Sequence, residues 1–200
     1  KHIINRILIR IKNSLAYLKS GLYYYEKNTY NYHRLHFSQE GEDILLIQRL
    51  LPDKQNGFYV DVGAHHPQRF SNTFKFYLNG WRGINIDPIP EIQRIFNNIR
   101  PNDINLEFGI GNINGHFDYY IFEEPALNTF DRQTAERRQL PIIDTQKIKI
   151  RRLDDVLSEF LPKKQHIDFL NVDVEGFDFQ ILKQIEFEKT HFIPYVSMTQ

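Results

Sequence analysis

The chain has 200 residues, 41% of them hydrophobic and 25% charged, which suits one compact domain with a real core. It contains no cysteine, and that excludes disulfides, a thiol nucleophile and a thiolate zinc site. The formal net charge is zero, so no overall field draws the protein to nucleic acid.

The charge is unevenly placed. Residues 1–35 hold seven basic side chains against Glu26 alone, which leaves residues 36–200 net acidic. Ile3, Ile7, Ile11, Leu15 and Leu18 recur at helical spacing, and Arg6, Arg10, Lys12 and Asn13 lie opposite them. This predicts a basic amphipathic helix over 3–18, within an N-terminal extension over 1–35 that also carries Tyr23, Tyr24, Tyr25, Tyr30 and Tyr32. Such a helix packs on the domain or on a second copy of the chain; in the other reading it lies peripherally on an anionic membrane. No apolar run is long enough to span a bilayer, and the basic residues interrupt any signal-peptide core. The expected location is the cytoplasm, with membrane association as the variant.

A second region, 36–200, alternates helices and strands. Ser38 is a good N-cap, and Glu42 and Asp43 precede the apolar run from Ile44 to Leu51, so a helix is expected there, ended by Pro52. FYVDVG (58–63) reads as a buried strand. A helix over 71–79 follows, capped by Ser71 or Asn72 and closed by Gly80. GINID (83–87) is a second strand, 89–98 a helix, and INLEFGI (104–110) a third strand. HFDYYIF (116–122) and KIKIRRL (147–153) alternate apolar and polar residues, as edge or half-exposed strands do. IDFLNVDVEG (167–176) is a strong buried strand, with a helix over about 178–185 and a strand near 192–197 after it. Units of this kind imply an α/β fold, a mainly parallel sheet with helices on both faces.

Ligands of open α/β sheets sit at the carboxyl ends of the strands. Three strands end there in acids: Asp61 before Val62, Gly63, Ala64, His65 and His66; Asp87; and Asp173 with Glu175 before Gly176. A dinucleotide loop needs several glycines to meet a pyrophosphate, whereas this loop has Gly63 alone and the carboxylate of Asp61 beside it. That suits a ligand without phosphate that carries an ammonium and a sulfonium, as S-adenosylmethionine does. Gly63 would admit the adenosyl group, and Asp87, 24 residues further on, would accept the ribose hydroxyls.

Five strings carry a resemblance: FSQEGEDILL (37–46), FYVDVGAHHP (58–67), SNTFKFYLNGWRGINIDPIP (71–90), LNTF (127–130) and IDFLNVDVEGFDFQIL (167–182). In this order the chain resembles the FkbM family of O-methyltransferases over about 37–197. The resemblance implies a Rossmann-like class I methyltransferase fold and S-adenosylmethionine as cofactor. Members of the family mostly methylate hydroxyls of sugars or secondary metabolites, so the expected acceptor is a hydroxyl of a sugar, polysaccharide or secondary metabolite, though the resemblance does not itself name the substrate. It also places Asp61, Gly63, Ala64 and Asp87 in the cofactor site, with Gln39 and Glu42 near its methionine end. Ser71, Asn72 and Thr73 are positioned to bind the methionine carboxylate at a helix start, or simply to cap that helix. Sheets of this class usually run to seven strands, whereas here the sequence stops at Gln200 soon after the strand at 192–197, so the last hairpin is expected to be missing or supplied from elsewhere.

Methylating a hydroxyl needs a base at the attacking oxygen. The candidates are Asp173, Glu175, His65 and His66. Either acid can act directly, or the two acids can share a divalent metal, for which oxygen ligands favour Mg²⁺; no third ligand is evident, and the metal stays open. The alternative to an enzyme is an inactive, cofactor-binding scaffold of the same fold.

Overall fold

Five parallel strands, in the order β3-β2-β1-β7-β8, carry the fold of this protein in the computed structural model. Residues 35–51, 53–174, 178–183, 185 and 196–198 are described. The chain divides into residues 1–35 and 36–200, and Leu35 apart the described residues fall in the second part. The helix expected over 3–18, the tyrosine cluster, Pro52, Glu175 and Gly176 lie outside them.

β1 (Phe58–Val62) sits at the centre and is buried throughout, as expected of a parallel strand covered on both sides. It pairs with β2 (Arg82–Asp87) and with β7 (Phe169–Val172). β3 (Ile104–Glu107) extends the sheet beyond β2, and β8 (Val196–Met198) extends it beyond β7. Alternation sends Val60, Val62, Ile84, Ile86, Leu170 and Val172 to one face. There they meet α5 (Leu153–Phe160) and α6 (Asp178–Leu182) through Leu153, Val156, Leu157 and Ile181. Tyr59 and Phe169 take the other face. They pack with Leu46 and Leu51 around α1 (Glu42–Leu50) and with Phe76 of α2 (Phe74–Leu78). The Phe76 ring lies 5.5 Å from that of Phe169 and 4.9 Å from that of Trp81. This is the mainly parallel sheet with helices on both faces that the sequence implied.

Local signals mostly hold. The Ser38 hydroxyl and the Asp43 carboxylate bond each other's neighbourhood: Ser38 Oγ donates to Asp43 Oδ1, and Asp43 N–H donates back to Ser38 Oγ. Ser38 is nevertheless not the N-cap expected from the sequence: the cap position is Gly41, in left-handed geometry at φ 87°, and α1 begins after it and widens to a π turn over Leu46–Leu50. Ser71 Oγ accepts from the N–H groups of Thr73 and Phe74 and caps α2, which Gly80 closes at φ 93°. α3 (Ile92–Ile99) carries the chain from β2 to β3.

Two stretches depart from the sequence expectation. The run 104–110 is two strands: Phe108 interrupts it, so β3 stays in the large sheet while β4 (Gly109–Ile110) leaves it. β4 joins a second sheet, β4-β6-β5, with β5 (Gly115–Ile121) antiparallel to β6 (Asp144–Arg151). The strand expected over 147–153 stops at Arg151, because Leu153 opens α5. Leu153, Val156 and Leu157 form its buried stripe, and Asp154 and Asp155 favour its amino end. α4 (Arg132–Arg137), capped by Asp131, was not expected from the sequence pattern. Among the described residues no helix is long and apolar enough to cross a membrane.

The ends of β1 and β7 touch at Gly63. Its φ is 78°, and a Cβ built there would stand 1.8 Å from the Asp173 carbonyl oxygen. Backbone bonds fix that approach: Asp173 N–H donates to Val62 and Gly63 N–H donates to Ile86, each at 2.9 Å. Gly63→Ala is therefore expected to cost at least about 2 kcal/mol, above the typical point-mutant loss of about 1 kcal/mol. Urea unfolding measures it, and wild-type stability in the variant would refute the contact.

Candidate active site

Strand order reverses between β1 and β7, and in open sheets the crevice at such a switch point is where ligands bind. A cavity of about 300 Å³ lies at this place. Its polar side is formed by Gln39, Asp61, Asn72, Asp87, Asn171 and Asp173. The loop after β1 adds Gly63, Ala64 and His65. The opposite wall comes from the second sheet and the segment between its strands: Phe117, Tyr119, Ile150 and Phe130, with the Tyr119 and Phe130 rings 4.5 Å apart.

The polar side grows out of sheet register. Asp61 stands beside Asn85 on β2 and Asn171 on β7, and Asn85 stands beside Asn105 on β3. Residues in register point to one face, so four polar side chains cross the sheet in a row. Asn171 Nδ2 donates to Asp61 Oδ1 at 2.9 Å, and Asn85 Nδ2 donates to Asn105 Oδ1 at 2.8 Å. Asn72 Nδ2 donates to Asn171 Oδ1 at 3.1 Å, which fixes the amide of Asn171. The second oxygen of Asp61 accepts from Thr73 Oγ1 at 2.5 Å. Burial pushes the Asp61 carboxyl up from its ordinary range, and Thr73, Asn171 and Arg100 oppose that rise.

Asp87 ends β2 with both oxygens engaged by the backbone. Oδ2 accepts from His65 N–H at 2.7 Å and Oδ1 from Ile89 N–H at 2.9 Å. Burial first, and then the charges of Asp61 and Asp173, push its pKa up to about 7. His65 sits in a left-handed conformation at φ 53°, with its ring stacked on Phe70. Its Nε2 is buried and has no hydrogen-bond partner among the described residues. Burial, with Arg69 and His66 nearby, holds its pKa below the usual histidine value, so the ring is neutral at pH 7.

The remaining sequence candidates lie elsewhere. His66 Nδ1 accepts from the N–H groups of Gln68 and Arg69, so it closes a turn and does not line the cavity. Ser71 is buried behind the lining, with its hydroxyl taken by the α2 cap and by Arg100. Thr73 reaches the site through Asp61 alone, and Glu42 bonds the Glu40 N–H away from the cavity. Glu175 lies outside the described residues, so its pairing with Asp173 is not part of this geometry. Among the described residues no group of three or more His, Asp or Glu side chains is placed to hold a metal ion.

Sequence reasoning missed Arg100, Asn171 and the aromatic wall. Arg100, at the end of α3, is 0% exposed. Its guanidinium donates to Ser71 Oγ at 2.6 Å, Thr73 Oγ1 at 2.8 Å, Asn85 Oδ1 at 3.1 Å and the Pro67 carbonyl. A lone arginine after a short amphipathic helix carries no sequence mark that separates it from a surface cation. Arg69 pairs with Glu124 through both terminal guanidinium nitrogens, at 3.0 and 2.8 Å, and ties the loop after β1 to the segment after β5.

Among known proteins, the Methyltransferase FkbM domain matches residues 61–199. Neither the curated proteins nor the solved structures give a match.

The raised pKa of Asp87 sets a sign for pH and stability. Between about pH 4 and pH 7 the folded chain keeps a proton there that the unfolded chain has lost, so stability falls as pH rises through this window. The slope from this one group is at most about 1.4 kcal/mol per pH unit. Asp87→Asn should flatten the slope. Denaturant unfolding at several pH values checks this, and an unchanged slope in the variant would assign the effect to another group.

Proposed function

The chain belongs to the FkbM methyltransferase family, and on that premise we propose that it is an S-adenosylmethionine-dependent O-methyltransferase acting on a hydroxyl of a sugar, polysaccharide or secondary metabolite. The observation that supports this reading best is the acid set of the cavity. Asp61, Asp87 and Asp173 line it, and among the described residues that line it none is Lys or Arg. Such a lining disfavours a phosphate ligand and suits a cationic one. The orphaned Nε2 of His65 adds a buried polar atom that a ligand can satisfy.

S-adenosylmethionine supplies a methyl group on a positively charged sulfur. The chain's own groups do the rest. Asp87 has lone pairs left on both oxygens and can accept the two ribose hydroxyls while still holding the His65 and Ile89 N–H groups. Asp61 offers a carboxylate to the ammonium. Asp173 follows β7, next to the cofactor strand, and takes up the acceptor's hydroxyl proton as the oxygen attacks. His65 is the second candidate for that proton, because its ring is neutral and its Nε2 is unpartnered. Phe117, Tyr119 and Phe130 give the acceptor an aromatic wall that keeps water out.

Asp87→Ala should weaken S-adenosylhomocysteine binding by about 1–3 kcal/mol, as expected for lost hydrogen bonds to a charged group. In the wild type, affinity should rise with pH through about 7, because ionised Asp87 is the better acceptor. Titration calorimetry reads both effects, and preferential binding of NAD would refute the cofactor assignment.

Asp173→Asn keeps the shape but not the basicity. Turnover should fall by about 100-fold or more with cofactor affinity little changed. Near-normal turnover in that protein would move the base to His65. A wild type that binds the cofactor yet turns over no screened acceptor would favour the scaffold reading.

A further inference from the structure

We propose that Arg100 is a positioning residue for the cofactor cavity: it donates to Thr73 Oγ1, turns the single hydroxyl hydrogen of Thr73 onto Asp61, and so holds Asp61 as an acceptor for the cofactor's ammonium group. This rests on the S-adenosylmethionine reading and names a residue that does not itself line the cavity.

Hydrogen-bond direction sets the relay. A guanidinium can only donate, so the 2.8 Å contact from Arg100 NH1 makes Thr73 Oγ1 an acceptor there. A threonine hydroxyl has one hydrogen. Thr73 Oγ1 lies 2.5 Å from Asp61 Oδ2, and that is where the hydrogen goes. The other oxygen of Asp61 meets the amide of Asn171 at 2.9 Å, and Asn72 fixes that amide because it donates to the Asn171 oxygen. Both oxygens of Asp61 thus face donors. A protonated carboxyl would have to donate from one of them and would meet a hydrogen already there, so the network favours the ionised form.

The charges around Asp61 define what the relay works against. Asp61 is 2% exposed, and the carboxylates of Asp87 and Asp103 are near enough to interact with it. Burial and the charge of Asp103 favour its neutral form. Arg100 is the cation that opposes them. On its far side the guanidinium is balanced in the same indirect way: Tyr59 and Asn85 each stand between it and Asp103, accepting from Arg100 and donating to the carboxylate. One cation therefore serves two acids through hydroxyl and amide relays, and one of those acids opens on the cavity.

The test separates a role toward the ammonium from a general role in folding. Two probes are titrated into the full chain: S-adenosylhomocysteine, which has the ammonium, and 5′-methylthioadenosine, which has the same nucleoside and thioether without the amino-acid part. Thr73→Val removes the relay hydrogen. It should weaken S-adenosylhomocysteine binding by about 10-fold or more and change 5′-methylthioadenosine by less than about 2-fold, the former being one lost charged hydrogen bond's worth. Thr73→Ser restores the hydroxyl and should restore the affinity. Arg100→Gln should show the same selective loss, and adding Thr73→Val to it should cost little more, because both changes break one path. If Arg100→Gln does not fold by circular dichroism, the Thr73 pair decides alone. Equal losses for both probes, or no rescue by serine, would overturn the inference and leave the cofactor reading standing. A wild type that binds neither probe would overturn both.

Discussion

A fully buried arginine holds this site together with no carboxylate of the described residues in direct contact. Burying an unpaired cation costs several kcal/mol, and removing partners from such a group is severely destabilising. Arg100 meets that cost with neutral oxygens drawn from separate segments: the Pro67 carbonyl and Ser71 from the loop after β1, Thr73 at the start of α2, and Asn85 on β2. The rings of Phe74 and Phe96 lie 5.1 and 5.3 Å from its guanidinium carbon, close enough for cation–π attraction. The loop that carries His65 is therefore tied to the core at its far end. At its near end Asp87 holds the His65 N–H. Between these two anchors the chain adopts left-handed geometry at His65 and Phe70, which such anchoring makes tolerable.

The polar row on the sheet explains why Arg100 can sit where it does. Asn105, Asn85, Asp61 and Asn171 occupy one register line on four adjacent strands. On the same face, one pleat earlier, Tyr59 and Phe169 pack into an apolar cluster. The face thus changes from apolar to polar toward the carboxyl ends of the strands. Apolar packing fixes the strands, and the row beyond it supplies hydrogen bonds to a cation on one side and a cavity on the other.

The cavity also depends on two sheets. The large sheet contributes carboxylates at its strand ends, and the small sheet contributes the aromatic wall. Arg69 and Glu124 join the two sides by an exposed bidentate pair, and such pairs contribute only about 0–1 kcal/mol.

Much of this was legible in the sequence, for reasons that are local. Buried parallel strands such as FYVDV and FLNV announce themselves as short apolar runs, and acids or glycines at their ends mark the crevice. Asp61, Gly63, Ala64, His65, Asp87 and Asp173 were read this way, Asn72 from its place at a helix start and Gln39 from the family resemblance, and all eight line the cavity. Ser71 failed as a lining residue because a hydroxyl at a helix start reads the same whether it caps the helix or binds a ligand. In the structure Arg100 and the α2 N–H groups claim it. The break at Phe108 was hidden because the apolar alternation of Ile104, Leu106, Phe108 and Ile110 runs through it without interruption, and period alone does not say which sheet a strand joins.

The sequence by itself determined the parallel α/β core, the acids at the strand ends and the glycine where β1 meets β7, since each follows from neighbouring residues on one segment. Only the tertiary structure decided the partners. Asn171 meets Asp61 across 110 positions of chain, and Arg100 meets Thr73 across 27. Such pairs arise from sheet register and helix placement, and no local pattern encodes which distant oxygen a buried donor will find. Hence the carboxylates could be read from the chain, while the network that sets their charge could be read only from the fold.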